Sequence, residues 1–153
     1  ITLGLAKIKL GLEAKVSLGN LDAKRDWGHA KDYVDAMWWV LQTENAKDYV
    51  IASGEQHSVR EFVEEAAKSI DLDITWHGQG IKEVGVDQDG REVVNIRKEY
   101  YRPADVETLL GDPTLAKEEI KWKPKINFSS LVKEMMLSDL ALLKDGEALN
   151  PFT

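Results

Sequence analysis

An α/β fold is the class this sequence predicts, and three observations point to it. Segments with apolar residues three and four apart alternate with short runs of β-branched and aromatic residues. Ser58 and Asp112 open helices with recognisable start signals. An Asp89-Gly90 pair divides two β-branched runs in the manner of a hairpin turn. The predicted order is helix, strand, helix, strand, helix, strand, hairpin, strand, helix, helix, with no internal repeat or low-complexity stretch.

Ile1 to Leu12 sets Leu3, Ala6, Ile8 and Leu10 among lysines, a helix that stops near Gly11. Val16 to Gly19 is a short strand. Asp26 or His29 opens a helix to about Thr43, in which Tyr33, Met37 and Val40-Leu41 recur at helical spacing and predict one buried face. Trp38 and Trp39 are adjacent and cannot both lie on that face, so one is expected beneath a neighbouring element or at a subunit contact. Asp48 to Ala52 reads as a buried strand. Ser58 with Glu61 three residues on is a capping box for a helix presenting Phe62, Val63, Ala66, Ala67 and Ile70.

Asp73 to His77 is the next strand. Val84 and Val86, then Asp89-Gly90, then Val93, Val94 and Ile96 form the hairpin, expected as a small excursion from the main fold over about 78–98. Asp112 as cap with Pro113 at the first helical position starts a short helix to about Ile120, which Lys123-Pro124 ends. Ser129 or Ser130 caps the last helix, with Leu131, Met135 and Leu142 on one side and Val132 and Met136 flanking it.

Composition narrows the function classes. At 153 residues, 43% hydrophobic and 31% charged, the chain suits one domain with its own core. The formal charge is −7. Affinity for nucleic acid comes largely from neutralising phosphates, and there is no basic stripe, so no nucleic-acid partner is expected. No apolar run approaches the ~20 residues of a membrane helix, nor is the start a signal peptide, so no membrane partner is expected either. The absence of cysteine excludes disulfides and thiolate metal sites and suits a reducing, cytoplasmic location. The chain begins at Ile1 inside a helical pattern, which reads as a cut end of a longer protein.

Most chemical motifs fail on spacing. Gly78-Gln79-Gly80 opens a dinucleotide fingerprint, but Glu83 stands where the third glycine belongs and no helix starts there. Asp87 to Gly90 resembles half a calcium loop with its glycine too early. His29, His57 and His77 are too dispersed to predict a metal site. There is no Gly-x-Ser-x-Gly elbow and no Tyr-x-x-x-Lys pair, so no catalytic residue is assigned.

Two loops remain. The first runs from Leu18 to Tyr33 and carries Asn20, Arg25 and Trp27; the second is Tyr100-Tyr101-Arg102-Pro103. Guanidinium forks match phosphate oxygens, so Arg25 and Arg102 are candidates to grip a ligand with two or more phosphates. The alternative for Arg25 is an ion pair with Asp22, Asp26 or Asp32, and for Arg102 one with Asp105 or Glu107; surface pairs of this kind contribute roughly 0–1 kcal/mol. Trp27 either covers a base or sugar ring or packs as an ordinary aromatic.

The run Leu18-Gly19-Asn20-Leu21-Asp22-Ala23-Lys24-Arg25-Asp26-Trp27-Gly28-His29-Ala30-Lys31-Asp32-Tyr33-Val34 resembles the GDP-mannose 4,6-dehydratase family. So do Tyr49 to Gly54, His57 to Val63, Tyr100 to Glu107, Leu110 to Lys117 and Trp122-Lys123-Pro124, in the right order over nearly the whole chain. The Arg-Asp-Trp and Arg-Pro elements are shared by many nucleotide-sugar enzymes of the extended short-chain dehydrogenase group. The longer run through Gly28-His29-Ala30-Lys31-Asp32-Tyr33 is more particular to the GDP-mannose enzymes.

The resemblance implies that residues 1–153 are the C-terminal, substrate-binding part of such an enzyme, with the NADP-binding Rossmann domain largely absent from this chain. The family reaction oxidises C4 of GDP-mannose with NADP, eliminates water across C5 and C6, and returns hydride to C6, giving GDP-4-keto-6-deoxymannose for GDP-fucose and related deoxysugars. By the same resemblance Arg25 and Arg102 hold the diphosphate, Asn20 and Glu107 lie near the nucleotide, and Trp27 supports the loop. It further implies a homo-oligomer, dimer or tetramer, and an apolar face exposed where the cofactor domain docks. The piece alone is expected to be inactive. A non-catalytic GDP-sugar-binding or subunit-interaction module, and a related epimerase or reductase, are the alternatives.

Overall fold

The computed structural model describes residues 1–101 and 108–146. Its largest unit is a four-stranded sheet in the order β1-β6-β5-β4. Strands β1 (Val16–Leu18) and β6 (Glu92–Ile96) run parallel, with Val16 opposite Val94 and Leu18 opposite Ile96. Strands β5 (Val84–Asp87) and β4 (Ile74–His77) complete it with antiparallel pairings. Helices α1 (Thr2–Lys9), α3 (Val59–Lys68) and α5 (Phe128–Lys144) pack with the sheet around one core of Leu5, Phe62, Val63, Ala66, Val93, Val94, Val132 and Met136.

Local chemistry explains most boundaries. The Ser58 hydroxyl accepts the Glu61 N–H and the Glu61 carboxylate accepts the Ser58 N–H, so the capping box forms and holds the Glu61 carboxyl below its ordinary range. All five apolar residues expected on α3's inner side are buried. At the hairpin turn Gly90 takes φ +80°, and the buried Asp87 carboxylate accepts the Asp89 and Arg91 N–H groups and the Arg91 guanidinium.

The hairpin is no excursion. Its two strands are the centre of the sheet, because β6 zips against β1 from the other end of the sequence. After β6 the described residues form no further strand beyond a single bridge between Thr108 and Lys24. Asp48 to Ala52 forms no strand with any described residue, and Val50 is exposed. A strand needs a neighbour to take its hydrogen bonds. Helix α4 (Thr114–Glu119) starts one residue later than expected: Pro113 occupies the cap, and Asp112 Oδ1 accepts from the Thr114 N–H and hydroxyl. The cap of α5 is Asn127, which accepts the Ser130 N–H at 2.9 Å, rather than Ser129 or Ser130. Its buried residues are Leu131, Val132 and Met136; Met135 and Leu142 face outward.

Helix α2 (Ala30–Val40) departs furthest from expectation. Its buried side is Asp32 and Ala36, packed with Ala116, Ile120 and Trp122 in a second, smaller cluster. Met37 and Leu41, expected inside, are 64% and 80% exposed. With Val34 and Trp38 they form an i, i+3, i+4, i+7 apolar stripe on the outer side. Trp38 and Trp39 are both exposed and meet edge to face, centroids 4.8 Å apart.

Asp32 joins the second cluster to the rest. Only 3% exposed, its Oδ2 accepts the Lys125 N–H at 3.1 Å and the Ile126 N–H at 3.0 Å, while its carbonyl accepts the Trp122 indole N–H at 2.9 Å. Asp32→Ala leaves two amides without their acceptor and should cost about 2–4 kcal/mol in denaturant unfolding. Asp32→Asn, which keeps one accepting oxygen, should lose less; equal losses would contradict this account.

Asp87 makes the fold sensitive to acid. Burial pushes its carboxyl upward, but the Arg91 N–H and guanidinium and the Asp89 N–H outweigh that and hold it below the ordinary value. A carboxyl lowered in the folded state stabilises fully above its unfolded-state pKa and loses that contribution as pH falls through the folded one. Acid unfolding of Asp87→Asn should therefore be less steep with pH below about 4 than that of the unaltered protein.

Candidate functional site

The loop after β1 is fixed from several sides. The Arg97 N–H donates to the Leu18 carbonyl at 2.9 Å. At Gly19 an added Cβ would lie 2.2 Å from the Tyr100 carbonyl oxygen, so only glycine lets these two backbones meet. Asn20 Oδ1 accepts the Asp22 N–H, which leaves the Asn20 NH2 as a donor. Leu21 and Ala23 are buried, and their carbonyls accept the Arg60 and Val59 N–H groups at the start of α3.

Strand β2 (Lys24–Arg25) then pairs antiparallel with β3 (His57–Ser58), Arg25 opposite His57. Lys24 bridges to Thr108, whose hydroxyl exchanges hydrogen bonds with the Gln56 amide. Tyr100, in the second loop, and Thr108, beyond it, thus both lie against the first.

Arg25 is half-buried, with Nη1 donating to the Lys24 carbonyl at 2.7 Å. It lines a cavity of about 360 Å³ with Asp26 and Tyr33, closed on the other side by Val50 to Ala52 and Leu109 to Gly111. The Asp26 carboxylate accepts the Ser53 N–H at 2.8 Å and the Gly54 N–H at 2.9 Å. Burial, then the nearby Asp26 and Asp32, raises the Tyr33 phenol above its usual range, so it stays protonated at neutral pH. Trp27 turns inward: its ring lies 4.7 Å from Phe62 and its indole N–H donates to the His57 carbonyl. His57 stacks on Phe128 at 3.8 Å.

A charged brace stands behind the loop. The Arg60 guanidinium forms a two-pronged contact with Glu83, reaches Asp22 at 2.9 Å and lies over the Trp76 ring at 5.0 Å. The Glu83 hydrogen bonds, then Asp22, raise its pKa further. Among the described residues no group of histidines and carboxylates is arranged to hold a metal. No described helix is long and apolar enough to cross a membrane.

Of the residues singled out from the sequence, Asn20, Arg25 and Trp27 share this one loop, while Arg102 and Glu107 lie outside the described residues. Asp26 and Tyr33 enter as further walls of the cavity. Their only signal in the sequence was position, between a strand-end loop and a helix.

The family model for GDP-mannose 4,6 dehydratase matches residues 1–135. The chain belongs to the GDP-mannose 4,6-dehydratase family. The Dictyostelium discoideum GDP-mannose 4,6 dehydratase is 49% identical over 98% of the chain, and the Drosophila melanogaster and human enzymes of that name are 52% and 50% identical over 94%. The chain spans 42%, 37% and 39% of those relatives' lengths.

Two solved structures share the fold. RMD from Pseudomonas aeruginosa, complexed with NADPH, aligns with a TM-score of 0.71 at 19% identity over 92% of this chain and 41% of its own. The dTDP-glucose 4,6-dehydratase of Bacillus anthracis, complexed with NAD, gives 0.70 at 20% over 99% and 41%. Both likenesses show an α/β fold, and the chain matches about two fifths of each of those structures.

The Gly78-Gln79-Gly80 stretch does not form a dinucleotide loop. Gly78 and Gly80 lead into a single 3-10 turn (Gly80–Lys82) and then β5, so no helix N-terminus faces a pyrophosphate there. Gly19→Ala tests the meeting of the two loops. Forcing a Cβ against the Tyr100 carbonyl should drive them apart and destabilise the fold by about 1–3 kcal/mol, read from thermal unfolding.

Proposed function

We propose that this chain is the sugar-nucleotide-binding portion of an enzyme that converts GDP-mannose to GDP-4-keto-6-deoxymannose, a lyase reaction feeding GDP-fucose and related deoxysugars. The observation that carries the reading is identity near 50%, along nearly all of the chain, to enzymes named for that substrate. The loop geometry supports it. Arg25 is held by backbone pairing at the edge of a cavity, and its fork suits a diphosphate. Arg102 meets the same diphosphate from the second loop, Asn20 offers its NH2 to the nucleotide and Glu107 contacts the nucleotide side. Trp27 serves from beneath as support.

In this reading the chain's contribution is orientation. Binding energy on the remote nucleotide holds the hexose in a reactive pose and lowers the barrier at the sugar. NADP is bound by polypeptide outside these residues. That remainder covers the apolar stripe of Val34, Met37, Trp38 and Leu41, a surface too continuous to leave in water. The relatives have more than half of their length available to do so. The complete protein is a homo-oligomer, and a cytoplasmic location suits the absence of cysteine from this chain.

Full-length protein given GDP-mannose and NADP+ should release the 4-keto-6-deoxy product; its absence under conditions where the protein is folded would reject the assignment. Arg25→Ala and Arg102→Ala should each weaken nucleotide-sugar binding by about 2–4 kcal/mol. Unchanged affinity in both would return the two arginines to ordinary surface ion pairing.

A further inference from the structure

We propose that Asp26 is the positioning residue of this site: it fixes the Arg25 guanidinium for a nucleoside diphosphate by clamping the Arg25 loop to the turn at Ser53 and Gly54. This rests on the reading that Arg25 meets the diphosphate. The need for a clamp follows from the brevity of the pairing. Strands β2 and β3 are two residues each, and so short a ladder does not hold its register unaided. The Asp26 carboxylate supplies what the ladder lacks, one oxygen to each of two successive N–H groups at 2.8 and 2.9 Å. The far side is itself set. Gly54 takes φ +80°, and the Ser53 hydroxyl accepts the Glu55 N–H and donates to its carbonyl.

The result is a closed frame, with Arg25 opposite His57 at one corner and Asp26 bonded to Ser53 and Gly54 at the other. Trp27 pins the following residue to the His57 carbonyl. Asp26 is unsuited to touch the phosphates, since a carboxylate repels them; its action on the ligand runs through Arg25. An amide in its place has the same shape but one oxygen, and its NH2 would face an N–H donor.

The test is a double-mutant cycle on the full-length protein, with GDP as the probe in calorimetry. Asp26→Asn should weaken GDP at least tenfold, and adding Asp26→Asn to Arg25→Ala should weaken it no further than Arg25→Ala alone. Wild-type affinity in Asp26→Asn, or full additivity in the double variant, would overturn the proposal.

Amide exchange on the unaltered protein gives a second test that needs no variant to fold. Because coupling is reciprocal, GDP should slow exchange at Ser53 and Gly54; no change there overturns the proposal too. A wild-type protein that does not bind GDP would overturn the functional reading, and this inference with it. Wild-type binding with an undisturbed Asp26→Asn variant would overturn the inference alone.

Discussion

Everything around α2 depends on one buried carboxylate. Asp32 has its carbonyl bound to the Trp122 indole and its carboxylate to two successive amides past Pro124, so one side chain joins the first turn of α2 to the segment between α4 and α5. Without that tie the small cluster of Ala36, Ala116, Ile120 and Trp122 would have to stand alone against chain entropy. Four buried residues are a weak core; hydrogen bonds to a charged acceptor are the stronger kind, about 1.5–3 kcal/mol each. The helix is thereby held by Asp32 together with the packing of Ala36, Tyr33 and Val40, and its other apolar stripe remains outside.

A second carboxylate repeats the device a few residues upstream. Asp26 binds two successive amides at Ser53 and Gly54 as Asp32 binds two at Lys125 and Ile126. Between them Gly28 leaves room for the Tyr33 hydroxyl, which an added Cβ would meet at 2.0 Å. The stretch from Asp26 to His29 therefore has no regular structure yet little freedom. Side-chain oxygens satisfy backbone donors that a sheet or helix would otherwise satisfy.

These two ties mark where sequence reading stops. Helix α3 was legible because its signals are local: the capping box, the helical spacing and the burial of Phe62, Val63, Ala66, Ala67 and Ile70 all agree. The hairpin turn was legible for the same reason, from Asp89-Gly90. Its place in the sheet was not, since pairing Val94 with Val16 is a contact between distant parts of the chain. Helix α2 misled because it carries apolar residues on two sides. Choosing the buried one required knowing that Ala36 admits Ala116 and Trp122, whereas no described residue covers Met37 and Leu41. An aspartate in a first helical turn reads as a favourable interaction with the helix dipole, so nothing local announced Asp32 as buried. In the candidate site, Arg25 and Trp27 were singled out from the loop's own residues and Asn20 from the family resemblance, while the inward turn of Trp27 followed only from its contact with Phe62.

The wiring of α3 also decides what kind of group can hold an anion beside this loop. A helix start is the usual backbone solution, with free N–H groups aimed at a phosphate. Here those donors already have acceptors: Val59 N–H goes to the Ala23 carbonyl, Arg60 N–H to Leu21, and Glu61 N–H to the Ser58 hydroxyl. The helix uses them to fix the loop, and an anion arriving there must be met by side chains. A guanidinium is the side chain best matched to that task, and a rigid loop lowers the entropy lost when it closes on its ligand. The same arrangement makes Arg60 a brace by its side chain as well as its backbone, since its guanidinium holds Asp22 and Glu83. Fixing the loop through α3 and leaving an anion there to side chains are two consequences of one allocation of hydrogen bonds.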